Sequence, residues 1–452
     1  MVKAPPTLET RLQARSARVA IIGLGYAGLP MAIELGRAGF PILGFDVDRR
    51  KVEQLNRGRS PVSNVKHAEV AALRASRQLV ATTDANELDA ADVAIICVPT
   101  PLSAEGGPDL RFVESAAATL AEHLHAGMLV ALQSTCGPGT TAGQLAPLLE
   151  RASGLRAGQD FHLVFAPERI DPGNAVYTVA NTPKLIGGIS DESTRLACLL
   201  YQTCIEHIVP VSSPQVAEMA KLVENTFRFI NISFVNEMAL LCDRMGVNVW
   251  EVIEAARTKP FAFMPHFPSP GVGGHCIPVV PQYLAAAERE QGLQTELIPA
   301  ANRVNAAMPR LVVDKLERAL EARGKGLLDA NVMVVGVTYK PDVADIRESA
   351  AIRVLEEALA RGARVAYHDP LTPTLTLAGD TVNSVPLTAD ELGALDAVLL
   401  LTPHSAIDYD LIVQAAPLVI DTHSGLSPRR AANVLNVWDP AAWASSPVAL
   451  PS

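Results

Sequence analysis

A glycine-rich turn near the amino terminus constrains the fold of this 452-residue chain more than any other feature. The segment Gly23-Leu24-Gly25-Tyr26-Ala27-Gly28 follows a short apolar run and opens a helical pattern. Gly23 permits a tight turn, Gly25 lets the backbone approach a pyrophosphate, and Gly28 lets the helix pack closely on the strand. Asp46 ends the next apolar run, about 20 residues further on, where a carboxylate accepts hydrogen bonds from ribose hydroxyls. The pattern predicts a dinucleotide-binding turn on a parallel sheet.

Three cations follow Asp46 and bear on the choice of dinucleotide. Arg49, Arg50 and Lys51 could receive the 2'-phosphate of NADP, whereas the carboxylate favours the free 2'-hydroxyl of NAD. We predict NAD, with NADP as the alternative.

Two segments of alternating strand and helix patterns flank a helical middle. Strand patterns occur at residues 18–22, 41–46, 92–98, 128–133, 161–166, 331–337, 364–368, 397–401 and 418–421, and helical patterns at 110–124, 141–151, 214–246 and 349–361. This rhythm predicts an α/β protein with two Rossmann-like doubly wound domains joined by a central helical region. We place a tail at residues 1–16, the first domain at 17–211, the helical region at 212–310 and the last domain at 311–452.

Composition excludes several classes of protein. The net charge of -10 argues against a nucleic-acid-binding surface. The most apolar early stretch, residues 19–33, is short for a membrane span, and no apolar run before it predicts a secretory signal. Six scattered cysteines without CxxC pairs indicate reduced thiols and no metal site. We expect a cytoplasmic protein that neither enters a membrane nor binds nucleic acid.

Polar residues follow several predicted strands, where a doubly wound sheet binds its ligands. They are Val98-Pro99-Thr100, Ser134-Thr135 and Glu168-Arg169. Loop chemistry alone explains the first two groups equally well. Glu168 is a possible general acid or base, although most charged loop residues are simply solvated.

The helical region and the last domain contain three further candidates. Lys221 and Asn225 share one helix face and could donate to an oxyanion, although from the residues alone a solvated lysine is the simpler interpretation. Cys276 follows Gly271, Gly273 and Gly274, and such a loop suits a reactive thiol better than a core position; Cys136 is the competing thiol. Lys340 and Arg347 follow a predicted strand. The two cations could bind a phosphate group, or they could belong to a surface turn whose charges are balanced.

Taken together, these motifs resemble the UDP-glucose/GDP-mannose dehydrogenase family. The resemblance rests on GLGYAGLP, CVPTP, QSTCGPGTT, APERIDPGN, AEMAKLVENTFRFINISFVNE, GVGGHCIP and GVTYKPDVADIRES, in order from about residue 18 to 423. It implies a homodimer or higher homo-oligomer built by the helical region, NAD on the first domain and a UDP-sugar on the last. Within the family, ERIDPGN and GGHCIP most resemble UDP-N-acetylglucosamine 6-dehydrogenases, with UDP-N-acetylmannosamine dehydrogenases as the alternative.

The resemblance also implies residue roles in a four-electron oxidation of a sugar C6 alcohol for surface polysaccharide precursors. Cys276 matches the nucleophile, Lys221 and Asn225 the oxyanion donors, and Thr135 and Glu168 the groups around water and proton transfer. The NAD site corresponds to Gly23, Gly25, Tyr26, Ala27, Gly28, Asp46, Lys51, Val98, Pro99, Thr100, Ser134, Thr135 and Arg347. The substrate site corresponds to Glu168, Arg169, Lys221, Asn225, Arg257, Gly273 and Lys340.

Two positions depart from the family pattern. Val280 stands where an aspartate is usual, and Pro172 stands where the UDP-glucose branch has a second acidic residue. Pro172 predicts a substrate other than UDP-glucose. Val280 predicts slow thioester hydrolysis and motivates the alternative of a nucleotide-sugar-binding protein with impaired catalysis. A two-electron alcohol dehydrogenase, in which Cys276 is dispensable, is the third possibility.

Overall fold

The computed structural model describes residues 6–103, 106–174, 176–290, 292–377, 379–424, 426 and 431–443. These residues form two compact units, which are described separately. The first unit comprises 1–224 and 282–294, and the second comprises 225–281 and 295–452. The outer limits of the predicted tail and last domain, at residues 1 and 452, lie outside the described residues.

The first unit contains the longer run of strands. They are β1 (Val19–Ile22), β2 (Ile42–Phe45), β3 (Leu79–Thr82), β4 (Val93–Ile96), β5 (Leu129–Leu132), β6 (His162–Phe165), β7 (Lys184–Gly188) and β8 (Ile208–Val211). Its α-helices are α1 (Leu8–Gln13), α2 (Gly28–Arg37), α3 (Arg49–Asn56), α4 (His67–Ala75), α5 (Arg111–Ala121), α6 (Ala146–Ser153) and α7 (Asp191–Tyr201).

These strands form one sheet in the order β3-β2-β1-β4-β5-β6-β7-β8. All neighbouring pairs run parallel except β6 and β7. Alternate side chains of the central strands enter two different cores: Ile21 packs in one, and Ala20 and Ile22 pack in the other. Both faces are therefore covered, which explains the continuous apolar runs in the sequence. The chain order reverses between β1 and β4, where doubly wound sheets bind ligands.

The second unit contains a smaller sheet. Its elements are α9 (Val249–Ala256), α11 (Leu297–Glu321), β9 (Asn331–Val335), α12 (Ala350–Ala360), β10 (Arg364–His368), β11 (Thr374–Leu377), β12 (Asp380–Asn383), α13 (Ala389–Gly393), β13 (Ala397–Leu400), α14 (Tyr409–Ala415), β14 (Val419–Asp421) and β15 (Val434–Asn436). Two helices, α8 (Pro214–Met245) and α10 (Val280–Glu290), have residues in both units. The sheet order is β10-β9-β13-β14-β15 with parallel pairing, and β11 and β12 form a separate antiparallel pair. The predicted α/β class with two Rossmann-like sheets is thus confirmed.

Several local predictions are confirmed and others are wrong. Each predicted strand and the long central helix are present, but β3, β7, β8, β11, β12 and β15 were not predicted. The helix predicted at 141–151 is in fact a π-helical turn at Thr141–Leu145 followed by α6. Among the described residues, no helix is long and apolar enough to cross a membrane.

Large apolar residues recur along α8, and they divide into a buried and an exposed part. Leu222 is fully buried, whereas Met219, Val223, Phe227 and Phe234 expose 38–52% of their surface. These four residues, the exposed face of α8, lie on one side of the helix at roughly helical spacing. A row of large apolar side chains on the surface of a chain is typical of an interaction surface.

Candidate active site

The glycine turn after β1 has the geometry that its residues predict. Gly23 has φ +95°, and a Cβ on it would lie 2.7 Å from the carbonyl oxygen of Cys97. A Cβ on Gly28 would lie 1.9 Å from the carbonyl oxygen of Gly23, so α2 can approach β1 only without a side chain there. At Gly25, by contrast, no described atom lies within 4 Å of the added Cβ. The turn is therefore closed on the protein side and open where a diphosphate would bind, and it fits NAD.

Asp46 is buried at the end of β2 and is tied to this turn. Its Oδ2 accepts hydrogen bonds from the amide of Leu24 at 2.9 Å and from Lys51 Nζ at 3.2 Å. The side-chain amide of Asn64 donates to the carbonyl oxygen of Tyr26 at 3.0 Å. Asp46 thus orients the turn while its carboxylate keeps further lone pairs for ribose hydroxyls.

The loops after β4 and β5 are bound to each other. Ser134 Oγ donates to the carbonyl oxygen of Val98 at 2.8 Å, and Tyr283 Oη donates to that of Thr100 at 2.6 Å. Thr100 and Ser134 are buried, Thr135 is half-buried and Pro99 is exposed. Tyr283, which sequence reasoning missed, fixes the first loop through a backbone contact that no local pattern reveals.

Glu168 follows β6 and both of its carboxylate oxygens are engaged. Oε1 accepts from the amides of Arg169 and Ile170 at 2.8 Å each, and Oε2 accepts from Gln133 Nε2 at 2.7 Å. Lys184 Nζ lies 3.8 Å from Oε2. Glu168 is therefore an oriented carboxylate and not a freely solvated loop residue.

Arg169 connects this loop to α8. Its guanidinium donates to both carboxylate oxygens of Glu224, at 2.6 and 3.1 Å, and to the carbonyl oxygen of Pro183 at 2.6 Å. A bidentate pair of this kind fixes orientation as well as charge. The observed contacts of Arg169 are thus with the protein itself, which makes positioning of the loop its evident role.

Lys221 and Asn225 lie one turn apart on α8 and are both buried, with 8% and 7% of their surface exposed. The interpretation of Lys221 as a solvated lysine is therefore wrong. Buried polar side chains need partners, and groups of this type can donate to a ligand oxygen.

Cys136 is a structural thiol. Its Sγ lies 3.6 Å from Glu218 Oε1, and the same buried carboxylate accepts from the amides of Gly139 and Thr141 at 2.6 and 2.8 Å. Burial, reinforced by the charge of Glu218, raises the pKa of Cys136 well above its ordinary value. Burial also raises the pKa of Cys97, Cys198, Cys204 and Cys242.

Cys276 is the exposed cysteine of the chain and belongs to the second unit. Its loop packs on the segment between β9 and α12: the amide of Gly274 donates to the carbonyl oxygen of Arg347 at 3.2 Å. A Cβ on Gly273 would lie 2.9 Å from the carbonyl oxygen of Glu348, and one on Gly274 would lie 2.8 Å from the ring of Tyr339. The glycines therefore allow this close packing. The sequence alone had linked them only to the reactivity of the thiol.

His275 precedes the thiol, and sequence reasoning did not single it out. Burial, together with the positive charge of Arg347, lowers its pKa. Its imidazole is consequently neutral at pH 7 and does not form a cationic partner for a Cys276 thiolate.

The predicted basic residues of the second unit differ in their contacts. Arg347 is exposed and makes a bidentate pair with Asp345 at 2.6 and 2.9 Å. Lys340 is half-buried, and its carbonyl oxygen accepts from Thr338 Oγ1 at 2.9 Å. Arg257 is exposed at the end of α9 and pairs with Glu254 at 2.7 Å. Lys340 and Arg347 share the segment that supports the Cys276 loop, whereas Arg257 ends a different element.

The turn after β9 repeats the arrangement of the turn after β1. Gly336 has φ +82°, and Asp369, after β10, accepts from the amides of Val337 and Thr338 at 2.7 and 3.3 Å. His404 Nε2 lies 3.1 Å from Asp369 Oδ2, and both side chains are buried. Burial opposes the ionisation of Asp369, but hydrogen bonds from His404, Val337 and Leu371 lower its pKa to about 2. Sequence reasoning missed this pair because the two residues lie 35 positions apart.

Within the described residues, no group of three or more histidine, cysteine or acidic side chains could hold a metal ion.

Three family models match the chain in order. The NAD-binding domain of the UDP-glucose/GDP-mannose dehydrogenase family matches residues 17–205, its central domain matches 215–307, and its UDP-binding domain matches 333–428. The chain belongs to the UDP-glucose/GDP-mannose dehydrogenase family. It is accordingly an NAD-dependent UDP-sugar dehydrogenase with a UDP-binding domain.

Two similar relatives differ in the substrate that their names give. The chain is 38% identical over 357 residues to a UDP-N-acetyl-D-mannosamine dehydrogenase from Pyrococcus horikoshii, covering 78% of this chain and 83% of the relative. It is 34% identical over 395 residues to a UDP-N-acetyl-D-glucosamine 6-dehydrogenase from Pseudomonas aeruginosa, covering 86% and 91%. A solved structure of the UDP-D-ManNAc dehydrogenase from Pyrococcus horikoshii superposes with a TM-score of 0.85 and 32% identity, over 94% of this chain and 99% of that one.

Proposed function

We propose that this enzyme oxidises the C6 hydroxyl of a UDP-N-acetylhexosamine to the carboxylate, with Cys276 as its covalent nucleophile. The first candidate substrate is UDP-N-acetylglucosamine. The observation that carries the proposal is the position of Cys276: it is the exposed thiol, and it lies in a loop packed on the segment of Lys340 and Arg347. The five other thiols have their pKa raised by burial. A thiol must be accessible to form a bond with a substrate.

The covalent adduct allows two oxidations at one carbon. NAD supplies the hydride acceptor, and each of the two oxidations consumes one NAD. After the first oxidation the Cys276 sulfur adds to the C6 aldehyde, and the carbonyl oxygen takes up the proton as a thiohemiacetal. Loss of a second hydride and of the hydroxyl proton leaves a thioester. Water then attacks the carbonyl carbon, the C–S bond breaks, and the acid leaves as the thiol group is restored.

We assign roles to the other site residues, and burial or hydrogen bonding supports several of these assignments. Lys221 and Asn225 are buried donors that stabilise the oxyanion at C6. Glu168, oriented by three hydrogen bonds, accepts the proton of the attacking water, and Thr135 orients that water. Asp46 receives the adenosine ribose of NAD, and Lys340 binds the substrate phosphates.

The preference for an acetamido sugar is supported by Pro172 in the loop after Glu168, where the glucose branch carries an acidic side chain. The name of the Pseudomonas aeruginosa relative supports UDP-N-acetylglucosamine, and that of the Pyrococcus horikoshii relative supports UDP-N-acetylmannosamine as the second candidate. A site that hydrogen-bonds the acetamide leaves polar groups unpaired with glucose, and such mismatches discriminate strongly.

The experiment is a panel of UDP-sugars assayed for NADH formation. We expect the highest kcat/KM with UDP-N-acetylglucosamine and two NADH per sugar consumed. A higher kcat/KM with UDP-glucose contradicts the acetamido preference. No NADH with any UDP-sugar supports the binding-protein alternative, and one NADH per sugar supports a two-electron alcohol dehydrogenase.

The proposal extends to organisation and setting. Residues 17–211 carry NAD, 212–310 form the helical region and 311–452 bind the UDP-sugar, supported by family matches at similar ranges. The exposed face of α8 supports a homodimer through this helix, which light scattering on the purified chain would test. Unpaired cysteines support a cytoplasmic setting, and the product class suits synthesis of surface polysaccharide precursors.

A further inference from the structure

Lys184, the first residue of β7, is a buried cation for which the reaction described above has no role. Only 4% of its surface is exposed. Its Nζ is fully enclosed and makes no hydrogen bond to any residue that the structure describes. The nearest opposite charge is Glu168 Oε2, at 3.8 Å. Removing an ammonium group from water has a large free-energy cost, so the burial of Lys184 needs a compensating interaction.

The surroundings of Lys184 come from several elements. Tyr201 on α7 presents its ring 5.3 Å from Nζ, and the thiols of Cys97 and Cys204 and the ammonium group of Lys221 also act on it electrostatically. Burial lowers the pKa of Lys184, and the carboxylate of Glu168 opposes that change. Glu168 is thus the main group that counters the effect of burial on Lys184.

The polar groups around this pair are incompletely satisfied. Gln133 Oε1 and Tyr201 Oη are buried and lack hydrogen-bond partners among the described residues, as does Lys184 Nζ. A cavity of about 10 Å³ is lined by both Glu168 and Lys184. Lys184 Nζ itself is enclosed, so its interaction with Glu168 Oε2 across 3.8 Å is electrostatic. A cavity of this size is far too small for a sugar, so a substrate does not reach Lys184 through it.

We propose that Lys184 is a positioning residue whose positive charge holds the Glu168 carboxylate in the orientation that thioester hydrolysis requires. The inference rests on the proposed role of Glu168 as the group that accepts the proton of the attacking water. Oε1 of Glu168 is held by backbone amides and Oε2 faces Gln133 and Lys184. Gln133 provides direction without charge, whereas Lys184 provides the charge. Removing Lys184 therefore leaves the hydrogen bonds of Glu168 in place but takes away the positive charge beside Oε2.

Turnover of four variants tests this role. Glu168→Gln removes the base and should lower kcat about 10²–10⁴-fold. Lys184→Met should lower kcat by less and move the acid limb of the pH–rate profile to higher pH by about one pH unit or more. Lys184→Arg keeps the charge and should restore most of the profile. Adding Lys184→Met to Glu168→Gln should cost little further activity, because Lys184 acts through Glu168.

Lys315→Met is the matched control. Lys315 is also buried and pairs with Asp243 at 2.6 Å, but it belongs to the second unit. Its replacement should lower the thermal midpoint and leave the pH–rate profile in place. A Lys184→Met enzyme whose kcat falls while its profile stays unshifted would mean that Lys184 is merely structural and would overturn the inference.

A thermal-unfolding cycle tests the pair independently of turnover. Lys184→Met and Glu168→Gln should each lower the thermal midpoint, and the double variant should lose less than the sum of the two. Additive losses would overturn the inference even if the wild type forms NADH. A wild type that forms no NADH, with coupled losses, would contradict the proposed function and leave the pairing supported.

Discussion

The thiol of Cys136 donates to Glu218 Oε1 across 3.6 Å, and both side chains are buried. Cys136 follows a strand end and competed with Cys276 for the role of nucleophile. Its carboxylate neighbour opposes thiolate formation, because a second negative charge beside Glu218 would be unfavourable. The contact makes Cys136 part of the support for the π-helical turn that follows it.

The two cysteines should therefore respond differently to the same substitution. Cys276→Ser should remove nearly all turnover, because a serine there has no evident base to activate it. Cys136→Ser should keep most of the activity, since a hydroxyl can still donate to Glu218. NADH formation with UDP-N-acetylglucosamine measures both. Loss of turnover in Cys136→Ser together with retention in Cys276→Ser would contradict the assignment.

Val280 should make deacylation slow. It is 2% exposed and its amide donates to the carbonyl oxygen of Cys276 at 2.9 Å. Valine has no acceptor for a lysine or a water, so covalent enzyme should accumulate during turnover. Val280→Asp should raise kcat and reduce the trapped fraction, measured by intact-protein mass spectrometry after rapid acid quench.

The same substitution should lower stability, because it buries a carboxylate. Val280→Thr is the control of matched shape, and it should leave the trapped fraction high. If the wild type shows no covalent enzyme and Val280→Asp is not faster, slow deacylation is wrong.

Asp46 should govern the choice of dinucleotide. Asp46→Asn keeps an oxygen that accepts from the amide of Leu24, but it removes the charge that repels a 2'-phosphate. We expect KM for NAD to rise and the ratio of kcat/KM for NAD to that for NADP to fall about 10-fold or more; this is the effect of about 1.4 kcal/mol. Lys51→Met, which removes only the cation paired with Asp46, is the control for lost ion pairing. An unchanged ratio in Asp46→Asn would contradict the role.

Asp369 should stabilise the second unit except in acid. Its pKa is about 2, below the ordinary value of 3.8, so its contribution is fully present above about pH 4 and is lost as the pH falls towards 2. The shift corresponds to about 2 kcal/mol at neutral pH. Asp369→Asn should lower stability at pH 7 and approach the wild type near pH 2–3, measured by calorimetry.

Asp329→Asn is the control for this acid effect, because Asp329 forms an exposed ion pair with Arg364 at 3.0 Å. Exposed pairs contribute about 0–1 kcal/mol, so its effect should be small at every pH. A stability difference for Asp369→Asn that stays constant from pH 7 to pH 2 would contradict the explanation.

Features that depend on neighbouring residues in sequence could be predicted. The turn at Gly23, the acid at the end of β2 and the long helix α8 are encoded by local spacing, and the structure contains all three. The strands β3, β7, β8, β11, β12 and β15 were missed because their short runs include polar, glycine or proline residues, unlike the continuous apolar runs of β1 and β4. Short runs such as KLIGG carry too little periodicity to separate a strand from a loop.

The environment of a polar residue could not be predicted in the same way. From the sequence alone, Lys221 was interpreted as a solvated lysine, yet the structure buries it. Lys184 begins a short strand, and its burial depends on Glu168 and Tyr201, which reach it from other parts of the chain. Pairs such as Asp369 and His404 likewise form through tertiary contacts that no local motif encodes.

The continuity of α8 has a consequence for Lys221 and Asn225. Backbone hydrogen bonding runs without interruption from Pro214 to Met245, so the spacing of these two donors is set by helical pitch, at about 6 Å between their Cβ atoms. Mutations elsewhere can change where this pair of residues lies relative to a ligand, but they do not change the spacing between the two residues. The continuous helix therefore keeps the distance between the two donors constant when residues of either sheet are substituted.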